Sequence, residues 1–162
     1  MTPPEVLEPI VIAEPIVTHL ADAARLLEQA LSVSGNDPSV AYMLALAYKR
    51  MNKVAEARNA LRKIAKPDAN TVLQMGLLSL QEKQLAQAEQ EFSRAWQMDP
   101  ASYEICYNLA LTRLALGQLA ACAGLLPRVI ELAPSSRDRI QFVASARDFT
   151  TRLGRSGGFS VV

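Results

Sequence analysis

Small and bulky apolar residues recur along this chain at a regular interval. One set consists of small residues: Ala23, Ala57, Ala88 and Cys122. Each is followed four positions later by a bulky residue, in order Leu27, Leu61, Phe92 and Leu126. Seven positions after the first set come Ala30, Ile64, Ala95 and Val129. Successive copies are offset by 34, 31 and 34 residues, and an internal period of this length predicts a stack of helical repeats.

The spacing of apolar residues around these positions predicts eight helices separated by turn signals. The breaks fall where glycine, proline and aspartate cluster, at residues 35–38, 67–68, 99–100 and 133–136. The predicted helices cover residues 17–34, 37–51, 53–66, 68–82, 84–98, 101–116, 118–132 and 136–153. Because the links within each pair are short, paired helices should run antiparallel. The predicted fold class is all-α.

The first sixteen residues follow another pattern. They contain Pro3, Pro4, Pro9 and Pro15, and two copies of Glu-Pro-Ile-Val. Each proline removes a backbone donor and disfavours a helical residue before it, so residues 1–16 are predicted to form an extended arm. Three placements of the arm stay open: a cap on the first helix, a ligand of the chain's own groove, or a disordered or partner-bound segment.

The last predicted helix carries apolar residues at helical intervals. They are Ile140, Val143, Ala144 and Phe149. We expect this side to cover the last repeat while the arginines of the helix face outward, so residues 137–153 are predicted to be a C-terminal capping helix. Residues 154–162, which contain three glycines, are predicted to be a flexible tail.

Composition narrows the possible partners. Half of the 162 residues are hydrophobic, and the formal net charge is +1. Such a balance gives no reason to expect a nucleic acid or an anionic membrane surface as partner. No apolar run approaches the roughly 20 residues of a membrane span, so no direct membrane insertion is expected. The N-terminus lacks the pattern of a signal peptide, and the expected location is cytoplasmic.

The residues that usually carry catalysis are sparse and scattered. The chain has two cysteines and one histidine, too few for a disulfide framework or a conventional zinc site. No phosphate-binding loop or nucleophile motif occurs. His19 is predicted to be a surface or partly covered residue, and Cys106 and Cys122 to be packing residues. We therefore predict no enzyme, no cofactor and no metal.

At the recurring positions the chain resembles the tetratricopeptide repeat, a unit of 34 residues made of helices A and B. Residues 69–102 match best, with Gly76 as the small residue of helix A and Ala88, Phe92, Ala95 and Pro100 at the expected later positions. The resemblance covers residues 21–136. It implies a right-handed solenoid of about three helix pairs within residues 17–136, preceded by an extra N-terminal helix that lacks its helix A.

The resemblance also implies a concave surface lined by helix A residues. Ten residues fall there: Tyr42, Leu46, Lys49, Leu73, Leu77, Leu80, Tyr107, Asn108, Leu111 and Leu114. Most are apolar, and a continuous exposed apolar patch is typical of a binding site. The alternative that several of these leucines belong to the core stays open.

Some members of the family hold a ligand's terminal carboxylate with lysine, asparagine and arginine. At those positions this chain has Tyr42 and Leu46, then Gln74, then Glu104 and Asn108. The carboxylate clamp is absent, so a ligand with aliphatic side chains is expected.

These observations predict a protein–protein interaction module that binds an extended or helical apolar peptide in the concave groove. It would act as an adaptor, chaperone or scaffold in a larger assembly. The partner is another protein or peptide, the chain's own arm, or a second copy. The alternatives are a self-assembly module and an accessory or regulatory segment of a larger secretion-, pilus- or membrane-associated protein.

Overall fold

The computed structural model describes the backbone of residues 14–156 and the side chains of residues 19–148 and 151. Its eight helices are α1 (Glu14–Ser34), α2 (Pro38–Arg50), α3 (Val54–Arg62), α4 (Ala69–Gln81), α5 (Leu85–Met98), α6 (Tyr103–Ala115), α7 (Leu119–Leu132) and α8 (Ser136–Ser156). No strand occurs within residues 14–156. The predicted all-α class and the order of the eight helices are confirmed.

The two outer helices are longer than the sequence predicted. Helix α1 begins at Glu14 rather than at residue 17. Pro15 is tolerated in the first turn, because the backbone N–H that proline lacks would have no helical partner there. Residues 14–16 of the predicted arm are therefore helical. Helix α8 continues to Ser156, three residues into the predicted tail. The remaining predictions for the arm and tail fall on residues 1–13 and 157–162, outside the described residues.

Helix α3 is shorter than predicted. It ends at Arg62, with Lys63 as its C-terminal cap, rather than at residue 66. The helix ends in tighter bonds to the residue three positions earlier, from the Lys63 N–H to the Ala60 carbonyl at 3.2 Å and from the Ile64 N–H to the Leu61 carbonyl at 3.1 Å. Pro67 then disfavours a helical conformation of Lys66. Helix α7 instead contains Pro127 and runs through it to Leu132.

Helices α2, α4 and α6, the A helices of their repeats, begin at side-chain caps. Asp37 Oδ1 accepts from the Ser39 backbone N–H at 2.8 Å, and Asp68 Oδ1 accepts from the Thr71 backbone N–H at 2.7 Å. Ser102 caps α6 in the same way, at a longer 3.4 Å. Each bond satisfies a donor that the first helical turn leaves without a partner.

The turn from helix A to helix B is the same in three repeats. Its middle residue has a positive φ: 58° at Asn52, 59° at Lys83 and 73° at Gly117. In each turn the following backbone N–H donates to a carbonyl five residues earlier, for example from Gln84 to Ser79 at 2.8 Å. These are the bonds of a helix end closed by a left-handed residue.

The chain divides into two compact bodies, one ending at Ile64 and the other beginning at Ala65. In the N-terminal body α2 packs against both α1 and α3. In the C-terminal body one core joins α4 to α8; it contains Val72, Leu73, Ala88, Phe92, Ala95, Ile105, Cys106, Leu109, Ala110, Leu114, Cys122, Leu125, Val129 and Phe142. The small residues Ala57, Ala88 and Cys122 are all buried, as the repeat pattern requires.

Polar contacts join the helices of the C-terminal body as well. Arg113 Nε on α6 donates to Glu89 Oε1 on α5 at 3.0 Å, and its Nη2 donates to Ser93 Oγ at 3.3 Å. The hydroxyl of the fully buried Ser79 on α4 donates to Glu91 Oε2 on α5 at 2.6 Å. Both contacts join successive helices. Because hydrogen bonds require a specific geometry, they restrict how these helices are oriented at an otherwise apolar interface.

The predicted packing side of α8 is wrong. Ile140, Val143 and Ala144 are exposed, while Phe142 is buried in the core. Phe142 faces inward because two tyrosines on α6 receive this side of the helix: Tyr103 donates from its hydroxyl to the Asp138 carbonyl at 3.4 Å, and Tyr107 contacts the Phe142 ring. This aromatic contact accompanies the burial of Phe142, and Ile140 and Val143 are left in solvent.

Candidate functional site

In the N-terminal body, three of the predicted binding residues share one side of α2. Tyr42, Leu46 and Lys49 are each half-buried, and their spacing of four and three residues places them side by side on the helix surface. The structure thus brings these three together, with an aromatic ring and an aliphatic chain followed by an ammonium group.

In the C-terminal body, two predicted binding residues are part of the core. Leu73 is 2% exposed and Leu114 is 5% exposed, and both belong to the cluster that joins α4 to α8. Neither offers a ligand appreciable surface. For these two leucines the alternative interpretation, that they belong to the core, is therefore correct. Leu77 and Leu80 on α4 and Leu111 on α6 are half-buried and pack against the edge of the same core.

The other two predicted residues, Tyr107 and Asn108, make contacts within the protein. The ring of Tyr107 lies 5.4 Å from that of Phe142 at 62°, an edge-to-face contact, and its hydroxyl donates to Ser145 Oγ at 3.4 Å. The side-chain amide of Asn108 donates to the Glu104 carbonyl at 2.8 Å. Helix α8 therefore covers one side of α6, while Leu111 keeps part of its surface.

In the C-terminal body we call the five predicted residues that retain exposed area the helix A surface: Leu77, Leu80, Tyr107, Asn108 and Leu111. In the N-terminal body, Tyr42, Leu46 and Lys49 retain exposed area on α2.

A groove between α7 and α8 was not foreseen from the sequence. Its volume is about 370 Å³. We call it the α7–α8 groove; its lining is Leu114, Leu119, Cys122, Ala123, Leu126, Ala146 and Arg147. Apart from Arg147 these side chains are apolar or weakly polar. One feature of the sequence could have indicated this groove. Leu119, Ala123 and Leu126 are spaced along one side of α7, as in a helix that is buried on that side.

The N-terminal body contains a second, polar cavity of about 240 Å³ between α1, α2 and α3. The hydroxyl of Tyr48 donates to Glu28 Oε1 at its edge, and the ammonium of Lys53 lies 5.9 Å from the Tyr48 ring centre. Burial, together with the bond to Glu28, raises the pKa of Tyr48 to about 12. This cavity could not be predicted from the sequence, because Glu28 and Tyr48 are twenty residues apart and meet only in the folded state.

The second repeat contains several basic residues, among them Arg58, Arg62 and Lys63, but they do not form a continuous exposed stripe. Arg58 is buried at 8% exposure, whereas Arg62 and Lys63 are exposed. Arg58 lies next to the buried Ala57 on α3, so its aliphatic part packs in the body.

Both cysteines are buried with their thiols unoxidised. Burial raises the pKa of the Cys106 thiol to about 11, although Arg128 lowers it in part. Burial likewise raises the pKa of Cys122, with Arg113 acting in the opposite direction. Since the thiolate is the reactive form, these thiols are packing residues at neutral pH, as predicted.

Two kinds of feature are absent from the described residues. In that part of the chain, no three histidine, cysteine or acidic side chains come together as they would around a metal ion. Within the same residues, no helix combines the length and the apolar character needed to cross a membrane.

Paired antiparallel helices, capped alike and closed by the same turn, define a helical-repeat protein. Residues 19–78 and 79–144 match the tetratricopeptide repeat family model. The chain belongs to the tetratricopeptide repeat family, whose members are generally interaction modules without catalytic activity. No curated protein matches the sequence.

Several solved structures share the fold. The crystal structure of MamA is similar with a TM-score of 0.66 and 13% identity, covering 84% of this chain and 91% of that one. YrrB, described as a TPR protein with an unusual peptide-binding site, has a TM-score of 0.64 and 15% identity over 85% of this chain and 81% of its own. PilF of Pseudomonas aeruginosa has a TM-score of 0.63 and 15% identity, with 83% and 68% covered.

Proposed function

We propose that this protein binds an apolar peptide segment of a partner protein on the helix A surface, and so acts as an adaptor or scaffold in a larger cytoplasmic assembly. The observation that carries the proposal is the set of half-buried leucines on successive A helices, Leu77, Leu80 and Leu111. Each packs one side against the core and leaves the other to solvent. The family is one of protein-binding repeats, and YrrB is a structural neighbour described as binding a peptide.

The chemistry of the surface favours aliphatic ligand side chains over a terminal carboxylate. The amide of Asn108 is engaged by the Glu104 carbonyl, and a carboxylate would meet the acidic side chain of Glu104 nearby. Leucine surface held rigidly by a packed core loses little side-chain entropy when a ligand covers it. An extended or helical apolar segment fits such a surface.

Selection from a displayed library of twelve-residue peptides, followed by calorimetric titration of a selected peptide, tests the proposal. The test variant is Leu77→Gln with Leu111→Gln, which keeps side-chain length and removes the apolar surface. Met98→Gln is the matched control, because Met98 is an exposed apolar residue at the end of α5. We expect the double variant to bind at least tenfold more weakly and the control to bind as the unchanged protein does.

Circular dichroism and thermal unfolding of the same samples separate a lost contact from a lost fold. Equal affinity of a folded double variant and the unchanged protein would contradict binding on the helix A surface. Selection of peptides with acidic rather than aliphatic residues would contradict the proposed ligand class.

A further inference from the structure

The first helix of the chain exposes a side that the other B helices bury. In the following repeats α2 packs on α3 and α4 packs on α5. On α3 and α5 the recurring small and bulky residues are all at 0–1% exposure: Ala57, Leu61, Ala88, Phe92 and Ala95. At the equivalent positions α1 has Ala23 and Leu27, which are half-buried, and Ala30, which is exposed. Among the described residues no A helix precedes α1 and covers this side.

The same side of α1 carries larger apolar residues in solvent. Leu26 is 59% exposed and Val33 is 88% exposed. With Ala30 between them they are spaced by four and three residues, so they lie along one side of the helix. A single exposed leucine needs no explanation, but a stripe of apolar residues beside the position of a partner helix does. We call these residues the uncovered side of α1: Ala23, Leu26, Leu27, Ala30 and Val33.

The thirteen residues that precede α1 have the composition and the length to cover this side. Five of the seven residues 6–12 are valine, leucine or isoleucine. Helix α1 has 21 residues and is therefore about 30 Å long, whereas thirteen extended residues reach about 43 Å. After a reversal at the start of α1, this segment can run back along the whole helix. Its direction would then be antiparallel to α1, as the direction of each A helix is to its B helix.

The prolines of the segment suit an extended chain that lies on a helix. The backbone groups of α1 are bonded within the helix, so they offer no partners to a chain beside it, and each N–H that such a chain buries remains unsatisfied. Pro3, Pro4 and Pro9 have no N–H to lose. They also disfavour a helical conformation of the segment, so the cover that it supplies is an extended chain rather than an A helix.

We propose that residues 1–13 fold back along α1 and cover its uncovered side, in the place that an A helix takes in the other repeats. The lengths predict which residues meet. Leu7 reaches about 16–23 Å along α1, where the shorter value allows two residues for the reversal. Leu26 lies about 18 Å from the start of the helix. Leu7 is therefore expected to contact Leu26.

Covalent attachment favours this segment over a second copy as the occupant. A segment joined directly to the start of α1 is present at its surface at an effective concentration on the order of millimolar. A second copy at micromolar concentration would have to displace it from the same apolar residues. The segment therefore completes the first repeat within a single chain.

Cysteine pairs in the full chain test the placement. Leu7→Cys is combined with Leu26→Cys or, as the control, with Ala21→Cys. Ala21 is also exposed and lies about 140° around α1 from residue 26. The two native cysteines are buried and do not compete. The equilibrium between dithiol and disulfide in a glutathione buffer gives the effective concentration of each pair.

We expect the effective concentration for residues 7 and 26 to exceed that for residues 7 and 21 by about tenfold or more, with the disulfide inside one chain. The control separates docking from random contact, because residue 21 is nearer than residue 26 to residue 7 along the chain. A segment that moved freely would close the shorter loop at least as readily.

Thermal unfolding tests whether the segment stabilises α1. Leu7→Asp puts a charge into the proposed apolar contact, which is unfavourable when the contact is buried. Thr2→Asp is the control, because it puts the same charge beyond the length that is needed to reach Val33. We expect the midpoint of unfolding, followed by circular dichroism, to fall by about 2–4 °C for Leu7→Asp and to stay unchanged for Thr2→Asp.

Three results would overturn the proposal. Equal effective concentrations for the two cysteine pairs, or a larger value for the pair with residue 21, would show that the segment does not lie on the uncovered side. Disulfides between chains, in place of those within one chain, would assign this side to a second copy. Equal midpoints for Leu7→Asp and the unchanged protein would mean that residues 1–13 leave the uncovered side in solvent.

Discussion

The ring of Phe92 on α5 lies directly against the backbone of Gly76 on α4. A Cβ atom at residue 76 would stand 2.5 Å from Phe92 Cε1 and 2.7 Å from its Cδ1. The absence of a side chain lets helices A and B of this repeat approach closely, and the ring then fills the space between them. This contact explains why small and bulky apolar residues recur in the sequence at fixed positions.

Substituting Gly76 by alanine should therefore destabilise the protein. Alanine is a better helix former than glycine by about 1 kcal/mol, but displacing a fully buried ring costs about 1–3 kcal/mol and can exceed that gain. We expect the free energy of unfolding in urea to fall by up to about 2 kcal/mol.

Gly124 on α7 provides the matched control for this substitution. A Cβ there would meet nothing within 4 Å, so Gly124→Ala should stabilise by up to about 1 kcal/mol through helix propensity alone. Equal effects of the two substitutions, in either direction, would show that the contact with Phe92 does not govern residue 76.

The turn between α4 and α5 offers a stabilising change. Lys83 has a φ of 59°, a left-handed conformation that costs a residue with a side chain about 1 kcal/mol or more relative to glycine. Lys83→Gly should therefore raise the free energy of unfolding by about 1 kcal/mol, measured by urea titration. Asn52→Gly at the equivalent turn should give a smaller gain, since asparagine tolerates this conformation better. A loss of stability in Lys83→Gly would indicate that the lysine side chain makes a compensating contact.

The ion pair of Arg113 and Glu89 should contribute more than a surface pair. Its side chains are 23% and 20% exposed, and Arg113 is also bonded to Ser93. Arg113→Met should lower the free energy of unfolding by about 1–2 kcal/mol. Combining it with Glu89→Gln in a double-mutant cycle gives the coupling between the two side chains.

The exposed pair of Arg25 and Asp22, 3.7 Å apart, is the comparison for this measurement. Arg25→Met should cost less than about 0.5 kcal/mol. Because salt screens exposed charges more than partly buried ones, 1 M NaCl should reduce the effect of Arg113→Met only modestly. A coupling near zero in the cycle would mean that the packing of the arginine chain, not its charge, stabilises α5 against α6.

The sequence predicted the repeat register because the register depends on local spacing. Ala57, Ala88 and Ala95 are fully buried, and each could be placed by counting from its neighbours. The side of α8 that packs could not be found in this way. Its sequence offers two apolar sides, one with Phe142 and one with Ile140 and Val143, and the choice depends on tyrosines thirty-five or more residues earlier.

The sequence predicted only part of the candidate binding surface, and the reason is related. A helix contributes to the core and to the surface of its repeat with residues only one turn apart. Leu73 and Leu77 on α4 illustrate this: the first is buried and the second half-buried. Spacing places both on the same side, and only the position of the next helix decides which one a ligand could reach.

Burial of the Cys106 thiol makes the free energy of unfolding depend on pH in the alkaline range. Its pKa is raised from the ordinary 9.0 to about 11 by burial. Between these values the unfolded chain loses the thiol proton while the folded protein keeps it, so the unfolded state binds fewer protons and the free energy of unfolding falls as pH rises. The stabilisation is fully present below pH 9 and is lost as pH rises through 11. Cys106→Ala lacks this contribution, and we expect its unfolding free energy to fall less steeply than that of the unchanged protein between pH 8.5 and 10.5.

Alkylation by iodoacetamide checks the same point through the reactivity of the thiol. Because the thiolate is the form that reacts, Cys106 should be protected in the folded protein at pH 9 and modified rapidly in 6 M urea. Exposed cysteine introduced by Ser34→Cys, at the end of α1, supplies the reference rate. Parallel stability curves for Cys106→Ala and the unchanged protein, together with rapid alkylation of folded Cys106, would mean that the α5–α6–α7 core opens often enough to hydrate this thiol, contrary to its complete burial.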